Sequence, residues 1–253
     1  MKDSFKPSRG AAPTKPQACS AMLHVVATPI GNLGDLTPRA RDAFTSADVI
    51  ACEDTRRTWA LLSANHISRP RMISYRQGRE DQAGEQIVRE LRAGRDVVLC
   101  SDGGYPGISD PGYRLVRRVI DEGIDFDVLP GASAINLALV YSGLPTSSFT
   151  FKGFPPRKPG ALRRFFEEER DAAHTLVIYE SPFRVVHSLK AALEALGNRS
   201  AAVCVELTKQ FERVSRGYLA DLVAEYDGQT IKGEVSIVIA GANPKFSAPE
   251  QAE

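Results

Sequence analysis

The sequence predicts an α/β protein with two α/β domains, the first built on a mainly parallel sheet and the second on a mixed sheet. In residues 22–142 short apolar runs alternate with helical stretches, a pattern typical of a parallel sheet with helices on both faces. In residues 149–241 the apolar runs lie closer together, which favours partly antiparallel pairing. A chain of 253 residues, 43% hydrophobic and 25% charged, is long and apolar enough to bury two cores.

The first domain is expected to contain five strands and five helices in alternation. The strands are predicted at residues 22–27, 49–52, 72–75, 97–100 and 126–129. The helices are predicted from residue 37 onward and at 58–64, 81–93, 112–122 and 133–141. Thr37 and Pro38 make a favourable helix start, because a hydroxyl can cap and proline suits the first helical position. Gly94 and Gly123 suit the position just past a helix end.

The second domain is expected to contain five strands and three helices. The strands are predicted at residues 149–152, 175–179, 201–206, 211–216 and 235–240, and the helices at 162–170, 183–196 and 219–226. Residues 143–148, rich in glycine, serine and proline, predict a linker. Residues 1–21 are expected to be a disordered tail, since they hold prolines and cations but no apolar core, and residues 242–253 a second tail.

Several classes of site are not indicated by the composition. The four cysteines are widely spaced and form no C-x-x-C pair, so no metal site is predicted, and buried reduced thiols suit a cytoplasmic protein. No apolar run approaches the roughly 18 residues needed to cross a bilayer, so no membrane partner is expected. No G-x-G-x-x-G follows the first strand and no G-x-x-x-x-G-K-[ST] occurs, so a bound pyrophosphate is not indicated.

The loop at residues 100–112, CSDGGYPGISDPG, is the most informative segment of the chain. Four glycines, two prolines and two aspartates in thirteen residues exclude a regular helix or strand. Because the loop follows a predicted buried strand, it lies where open α/β sheets bind ligands. The alternative is a set of tight turns with no ligand, which is common for glycine-rich loops.

Three further segments place charged side chains at the ends of predicted strands. Residues 53–56, EDTR, suit a site, but equally suit a helix N-terminus, where acids complement the dipole and aspartate can cap. Residues 179–182, YESP, and 206–209, ELTK, end strands of the second domain. Glu206 and Lys209 could position a ligand or form a local ion pair worth little.

Two stretches without acidic residues concentrate positive charge. Residues 55–79 hold six arginines with aromatic side chains among them, and residues 151–164 hold five cations. Basic runs with interleaved aromatics suit RNA binding, whereas the simpler interpretation is a solvated face. The candidates for RNA contact are Arg57, Arg76, Arg157, Lys158 and Arg163. Trp59 is expected in the core, since two leucines follow it closely.

These segments together resemble the ribosomal RNA small subunit methyltransferase I family, which belongs to the tetrapyrrole-methylase-like (class III) methyltransferases. The resemblance runs in order over residues 22–241 and is carried by the loop at 100–112 and by TPIGNLGD (28–35), EDTR (53–56), PGASA (130–134), YESP (179–182), ELTK (206–209) and KGE (232–234). One departure is Tyr105, in GGYP where the family usually has AGTP.

The resemblance implies a cofactor, S-adenosyl-L-methionine, folded into a cleft between the two domains. The residues that would line it are Pro29, Gly103, Gly104, Tyr105, Ile108, Ser133 and Ala134. An uncharged loop suits this cofactor, whose adenine needs backbone hydrogen bonds and apolar cover.

The implied reaction is methylation of the ribose 2′-hydroxyl of a cytidine in 16S ribosomal RNA, near the decoding centre. A hydroxyl is a poor nucleophile, so a base or a cation beside it would help. The candidates are Asp54, Glu180, Glu206 and Lys209, with Arg56 to stabilise charge, and no metal is required. The family also implies a cytoplasmic homodimer acting on 16S rRNA or the small ribosomal subunit.

Two other functions remain open at this point. The first is methylation of a porphyrin-like or other small molecule on the same fold, for which the acid-free arginine-rich stretches would be unnecessary. The second is a non-catalytic RNA-binding assembly factor, which Tyr105 would favour if its ring filled the cofactor space.

Overall fold

The computed structural model describes residues 21–68 and 70–249, so the expected tail at 1–21 lies almost wholly outside the described residues. The first sheet contains five strands: β1 (Leu23–Val26), β2 (Val49–Cys52), β3 (Arg71–Ser74), β4 (Val97–Cys100) and β5 (Phe126–Leu129). All pair in parallel, in the order β3-β2-β4-β1-β5. The mainly parallel first sheet is therefore confirmed.

Five helices follow these strands in the chain: α1 (Pro38–Ser46), α2 (Thr55–Ala64), α3 (Glu80–Arg92), α4 (Tyr113–Asp121) and α5 (Ala134–Ser142). The Thr37 hydroxyl accepts a hydrogen bond from the Ala40 amide at 3.1 Å and caps α1 as predicted. Helix α2 begins at Thr55, three residues before the predicted start, because Asp54 caps it.

The first sheet is buried on both faces. Leu99 of β4 packs with Leu91 of α3 and Leu115 of α4 on one face. Val98 of the same strand packs with Phe44 of α1 and Leu62 of α2 on the other. Because successive side chains of a strand point to opposite faces, a continuous apolar strand is what two helical layers require.

The second sheet is mixed, as predicted. Its strands are β6 (Phe149–Phe151), β7 (Thr175–Glu180), β8 (Ser200–Val205), β9 (Arg213–Tyr218) and β10 (Val235–Ile239), in the order β6-β7-β10-β8-β9. Only β6 and β7 pair in parallel. The predicted strand at 211–216 begins two residues later, because a turn in which the Glu212 amide donates to the Lys209 carbonyl occupies its start.

Three helices cover one face of this sheet: α6 (Pro159–Glu167), α7 (Val185–Leu196) and α8 (Leu219–Tyr226). The predicted start of α6 at residue 162 is wrong, since Pro159 occupies the first helical turn, where its fixed φ and missing N–H cost nothing. None of the helices in the described part of the chain is long and apolar enough to cross a membrane.

Helix α5 covers the opposite face of the second sheet, although it precedes the expected linker at 143–148. Its Ala138 and Leu139 belong to one apolar cluster with Val177 of β7, Cys204 of β8 and Val238 of β10. The helix therefore ties the two domains together through a buried contact.

Candidate active site in the cleft between the two sheets

A cleft of about 770 Å³ lies between the two domains. Its walls are formed by the loops that follow β1, β2, β4 and β5, by the end of β7, by the turn after β8 and by the start of β10. Strands β1 and β4 are neighbours in the first sheet. After β1 the chain continues to β2, toward one edge of the sheet, and after β4 it continues to β5, at the other edge. Such a crossing point is the usual ligand crevice of an open parallel sheet, and the volume suits a small molecule.

The glycine-rich loop after β4 is held against the segment after β1 by backbone hydrogen bonds. The Thr28 amide donates to the Gly104 carbonyl and the Gly104 amide to the Thr28 carbonyl, both at 3.0 Å. The Ser101 hydroxyl donates to the same Gly104 carbonyl at 3.2 Å. Gly104 has a φ of +81°, a conformation that favours glycine, so the residue type and the loop shape depend on each other.

Tyr105 anchors the loop after β5 and leaves the cleft open. Its hydroxyl accepts a hydrogen bond from the Gly131 amide at 3.0 Å. Gly131 in turn lies so close to the Ala27 carbonyl that a Cβ there would approach it to 2.9 Å. The larger side chain at position 105 is thus accommodated by a tie between two loops, with the cavity still present beside it.

All seven residues predicted to line a cofactor border this cleft: Pro29, Gly103, Gly104, Tyr105, Ile108, Ser133 and Ala134. Gly31 borders it as well, and a Cβ on Gly31 would overlap the Lys209 side chain. The two domains therefore approach each other closely at this point.

Asp54 and Arg56 do not border the cleft. Asp54 caps α2 by accepting from the Arg56 amide at 2.8 Å, and its carboxylate pairs with the Arg56 guanidinium at 2.7 Å. That guanidinium holds the pKa of Asp54 well below its usual range. The Arg56 side chain is 89% exposed. The sequence of residues 53–56 suits either a site or a helix N-terminus, and Asp54 and Arg56 form a helix N-terminus.

Glu180 borders the cleft but is occupied by structural contacts. One carboxylate oxygen accepts from the Ser181 amide at 2.7 Å, and the other accepts from the Ser188 hydroxyl. Arg184 lies 3.5 Å from the same group. The carboxylate thus joins the end of β7 to the start of α7.

Glu206 and Lys209 form a three-membered network with Glu234. The Lys209 ammonium donates to Glu206 at 2.7 Å and to Glu234 at 3.1 Å. Burial alone would raise the pKa of Glu206, but the hydrogen bonds from Lys209 and from the Glu234 amide outweigh it and lower that pKa. Burial alone would lower the pKa of Lys209, but the two carboxylates raise it. Lys209 therefore carries its proton at neutral pH and cannot accept another.

Asp110 is a cleft residue that the sequence interpretation missed. Burial, followed by the nearby Glu53 carboxylate, raises its pKa from 3.8 to about 6, with Asp102 and Glu234 adding to the effect. A hydrogen bond with Ser101 opposes the shift. Asp110 lies in the loop that drew attention in the sequence, but Glu53 and Glu234 come from distant segments, so the shift was not foreseeable.

The lining of the cleft is called here the interior, and its charged side chains are mainly acidic. They are five carboxylates and two cations: Glu53, Asp102, Asp110, Glu180, Glu234, Arg57 and Lys209. Both cations are paired, Arg57 with Asp102 at 3.4 Å and Lys209 as described above. Within residues 21–68 and 70–249, no group of three or more His, Cys, Asp or Glu side chains is arranged to hold a metal ion.

The predicted RNA-contacting residues are distributed unevenly. Arg57 borders the cleft, and Arg76 is exposed on the segment after β3. Arg157 and Lys158 are exposed and make no ion pair with any residue that the structure describes. Arg163 pairs with Glu167 at 2.7 Å along α6. Arg157 and Lys158 are therefore two adjacent cations without an ion pair among the described residues, and they follow the cleft-lining Phe154 closely in the chain.

Comparison with known proteins assigns the chain to a family. The family model described as tetrapyrrole (corrin/porphyrin) methylases matches residues 22–223. A ribosomal RNA small subunit methyltransferase I of Halalkalibacterium halodurans is 44% identical over 228 residues, covering 90% of this chain and 78% of that protein. The protein of the same name from Mesorhizobium japonicum is 44% identical over 229 residues, covering 90% and 78%.

Solved structures share the fold. The uroporphyrin-III-C-methyltransferase of Thermus thermophilus superposes with a TM-score of 0.61 at 20% identity, covering 87% of this chain and 94% of that one. At that identity the likeness shows the two-domain architecture alone.

Proposed function

The chain belongs to the ribosomal RNA small subunit methyltransferase I family, within the tetrapyrrole (corrin/porphyrin) methylases, and from that premise we propose that it methylates 16S ribosomal RNA with S-adenosyl-L-methionine. The proposed acceptor is the ribose 2′-hydroxyl of a cytidine near the decoding centre. The observation that carries the proposal is a small-molecule cleft with an acidic interior, beside exposed and unpaired cations.

The residues of the cleft fit the proposed cofactor. Gly103 and Gly104 present backbone without side chains to the cavity, and Gly104 is fixed by its bridge to Thr28. Ser133 lies at the cleft where α5 begins, so the free backbone N–H groups of the first helical turn would suit the carboxylate of the cofactor. When bound, the cofactor supplies an activated methyl group on a positively charged sulfur.

The acidic interior favours a cation over a neutral molecule. Five carboxylates against two paired cations give this small volume an excess of negative charge. Carboxylates within a few ångströms stabilise a positive charge most where water is excluded. The interior should therefore hold a sulfonium ion more tightly than the uncharged thioether that remains after methyl transfer.

We propose Asp110 as the group that accepts the proton of the 2′-hydroxyl, at a carboxylate oxygen. It borders the cleft, and with a pKa of about 6 it is ionised at neutral pH yet more basic than an ordinary aspartate. Asp54 and Glu180 are less suited, since the first caps a helix and the second accepts hydrogen bonds at both oxygens. Glu206 is less suited because its pKa is lowered.

The cleft thiol does not compete for this role. Cys204 borders the cavity, and burial raises its pKa to about 11, so it stays protonated at neutral pH. Cys52 and Cys100 are also buried and free.

The RNA is proposed to approach the open side of the cleft, where Arg157 and Lys158 are exposed. Arg57, Arg76 and Arg163 are proposed as further contacts, although Arg57 and Arg163 are already paired with carboxylates. Unpaired cations release counterions from the phosphate backbone more readily, so Arg76, Arg157 and Lys158 should contribute more than Arg57 and Arg163.

A homodimer is the assembly we propose. The edge strand β5 exposes Phe126 and Val128, although strands of parallel sheets are normally covered on both faces. A second copy could cover them. Light scattering of Val128→Glu should show a monomer if β5 contributes to the interface. Because small subunits are assembled in the cytoplasm of bacteria, we place the protein there.

Methylation of a porphyrin-like molecule is the second candidate, and the shared fold alone favours it. The third, a non-catalytic assembly factor, would be favoured if the Tyr105 ring filled the cofactor space. The Tyr105 hydroxyl is tied to Gly131 and a cavity of about 770 Å³ remains, so Tyr105 does not favour this function.

The decisive experiment supplies labelled S-adenosylmethionine and small ribosomal subunits from cells that lack this activity, followed by mass spectrometry of the RNA. One 2′-O-methylated cytidine is the expected product. A methyl group on a base would overturn the proposed acceptor atom. Cofactor binding without transfer would favour a small-molecule acceptor, and the absence of both would favour the assembly factor.

A further inference from the structure

Two exposed phenylalanine rings lie at the mouth of the cleft. Phe154 borders the cavity and is 58% exposed, with its ring centroid 5.7 Å from that of Tyr179. Phe183 is 92% exposed and directly follows Ser181 and Pro182, which also border the cavity. Single exposed apolar side chains are ordinary, but two large rings at one functional opening require an explanation.

The backbone beneath both rings is fixed. The Arg184 guanidinium donates to the Pro155 carbonyl at 3.2 Å and to the Pro156 carbonyl at 2.8 Å. These bonds join the segment that carries Phe183 to the segment that carries Phe154. The rings are therefore held in water by a rigid support, so their exposure is not a consequence of a loose loop.

Unpaired positive charge adjoins the rings in sequence. Arg157 and Lys158 follow the clamped prolines and are exposed, with no ion pair to the described residues. Aromatic rings beside free cations are typical of surfaces that bind single-stranded nucleic acid, where bases stack and phosphates are neutralised. A twofold contact between two copies of this chain fits less well, since it would bring the same unpaired cations of both copies together, and like charges facing each other across an interface are unfavourable.

We propose that Phe154 and Phe183 form a stacking platform for unpaired RNA bases, and that Arg157 and Lys158 hold the sugar-phosphate backbone beside it. These four residues are called here the rim. The proposal rests on the proposed RNA methylation and names the part of the substrate that the rim recognises. Because every base has a π face, the platform selects unpaired RNA rather than a particular sequence.

The test compares RNA with and without bases by fluorescence anisotropy. The probes are a labelled oligocytidine and an abasic strand of the same length, with the protein saturated with S-adenosylhomocysteine. Phe154→Ala and Phe183→Ala should each weaken binding of the oligocytidine by about 5- to 150-fold, the range for a lost base stack. Neither should change binding of the abasic strand.

Matched variants distinguish a loss of base stacking from a loss of the fold and from a loss of apolar surface. Phe149 is an exposed phenylalanine at the opposite end of β6 from residue 154, so Phe149→Ala should leave RNA binding unchanged. Phe183→Trp should retain the affinity and Phe183→Leu should lose it, because leucine is apolar but cannot stack. Thermal unfolding curves identify any variant whose loss of binding reflects loss of the fold.

Four results would overturn the proposal. The first is an equal loss of affinity for the oligocytidine and for the abasic strand in the alanine variants, and the second is unchanged oligocytidine binding in both of them. The third is a wild-type protein that binds the two strands equally. The fourth is a variant that changes the oligomeric state without changing the affinity for RNA. The binding assay does not require methyl transfer. If the wild-type protein methylates the small subunit while the variants bind the oligocytidine normally, the platform fails and the proposed function stands. If the variants lose oligocytidine binding while the wild-type protein methylates no ribosomal RNA, the platform stands and the proposed function fails.

Discussion

The interior and the rim of the same cleft are opposite in charge. The interior holds five carboxylates and two cations that are already paired. The rim holds two cations without partners among the described residues and two rings in water. The difference indicates two ligands of opposite charge, a small cation inside and a polyanion outside, each kept from the other's place by electrostatics.

The largest effect is expected from Asp110→Asn in the interior. Loss of the proton acceptor should lower kcat/KM by about 10²- to 10⁴-fold, while RNA affinity stays unchanged. In wild type, kcat/KM should fall as the pH drops through about 6, where Asp110 becomes protonated. The pH profile of the residual activity of the variant should lack that limb.

Protein stability gives an independent readout of Asp110. Its folded pKa of about 6 exceeds its usual value of 3.8, so between those pH values the folded state holds a proton that the unfolded state has released. Stability therefore falls as the pH rises through this window. Asp110→Asn should raise the Tm at pH 7, whereas an aspartate that served only to hold the fold would give a lower Tm.

A second large effect is expected from Gly104→Ala, which displaces the loop that borders the interior. The change should weaken S-adenosylmethionine binding by about 10- to 100-fold, the range for impaired hydrogen bonds to charged groups. Calorimetry measures it. Gly123→Ala is the control, because Gly123 has a similar φ of +65° with open space around it, far from the cleft in the fold. Both variants should lose about 1–2 kcal/mol of stability, so equal cofactor affinities would contradict the assignment.

A moderate effect is expected at the rim. The double change Arg157→Ala and Lys158→Ala should weaken binding of RNA and reduce the slope of log K against log salt by about 1.4, that is about 0.7 per single-strand phosphate contact. Arg163→Ala should change the slope less, because that guanidinium is paired with Glu167. Cofactor affinity should be the same in all three proteins. A double variant with the wild-type slope would remove residues 157 and 158 from the RNA surface.

The smallest effect tests the charge preference of the interior. Glu53→Gln removes one carboxylate without changing its shape, and should weaken S-adenosylmethionine binding by about threefold, as expected for a partly screened charge. Binding of S-adenosylhomocysteine, whose sulfur is uncharged, should be nearly unaltered. Equal losses for both molecules would show that Glu53 contributes shape or hydrogen bonding rather than charge.

Much of the fold could be predicted from the sequence because it depends on local pattern. The bounds of β2, β4, β5 and α8 agree with the predicted ones. The start of α6 was missed because the preference of proline for the first turn, applied at Pro38, was not applied at Pro159.

The site could be predicted only where one segment forms it. The glycine-rich loop borders the cleft because its conformation and its place after β4 are both local properties. The roles of the carboxylates were harder to assign. Asp54 caps a helix and Asp110 lies in the cleft, and the two residues differ only in what surrounds them. Those surroundings come from distant parts of the chain. The rings of Phe154 and Phe183 were missed because exposure follows from packing, which no sequence pattern records.

The packing of α5 has a consequence for how the ribosome makes this protein. The helix leaves the exit tunnel soon after the first sheet, but the sheet that covers its apolar face lacks its central strand, β10, until about a hundred residues later. At bacterial elongation rates the helix waits roughly 5–20 s for the complete sheet. During that interval the nascent chain exposes apolar surface that a chaperone would bind, until β10 completes the sheet over the helix on which the cleft wall is built.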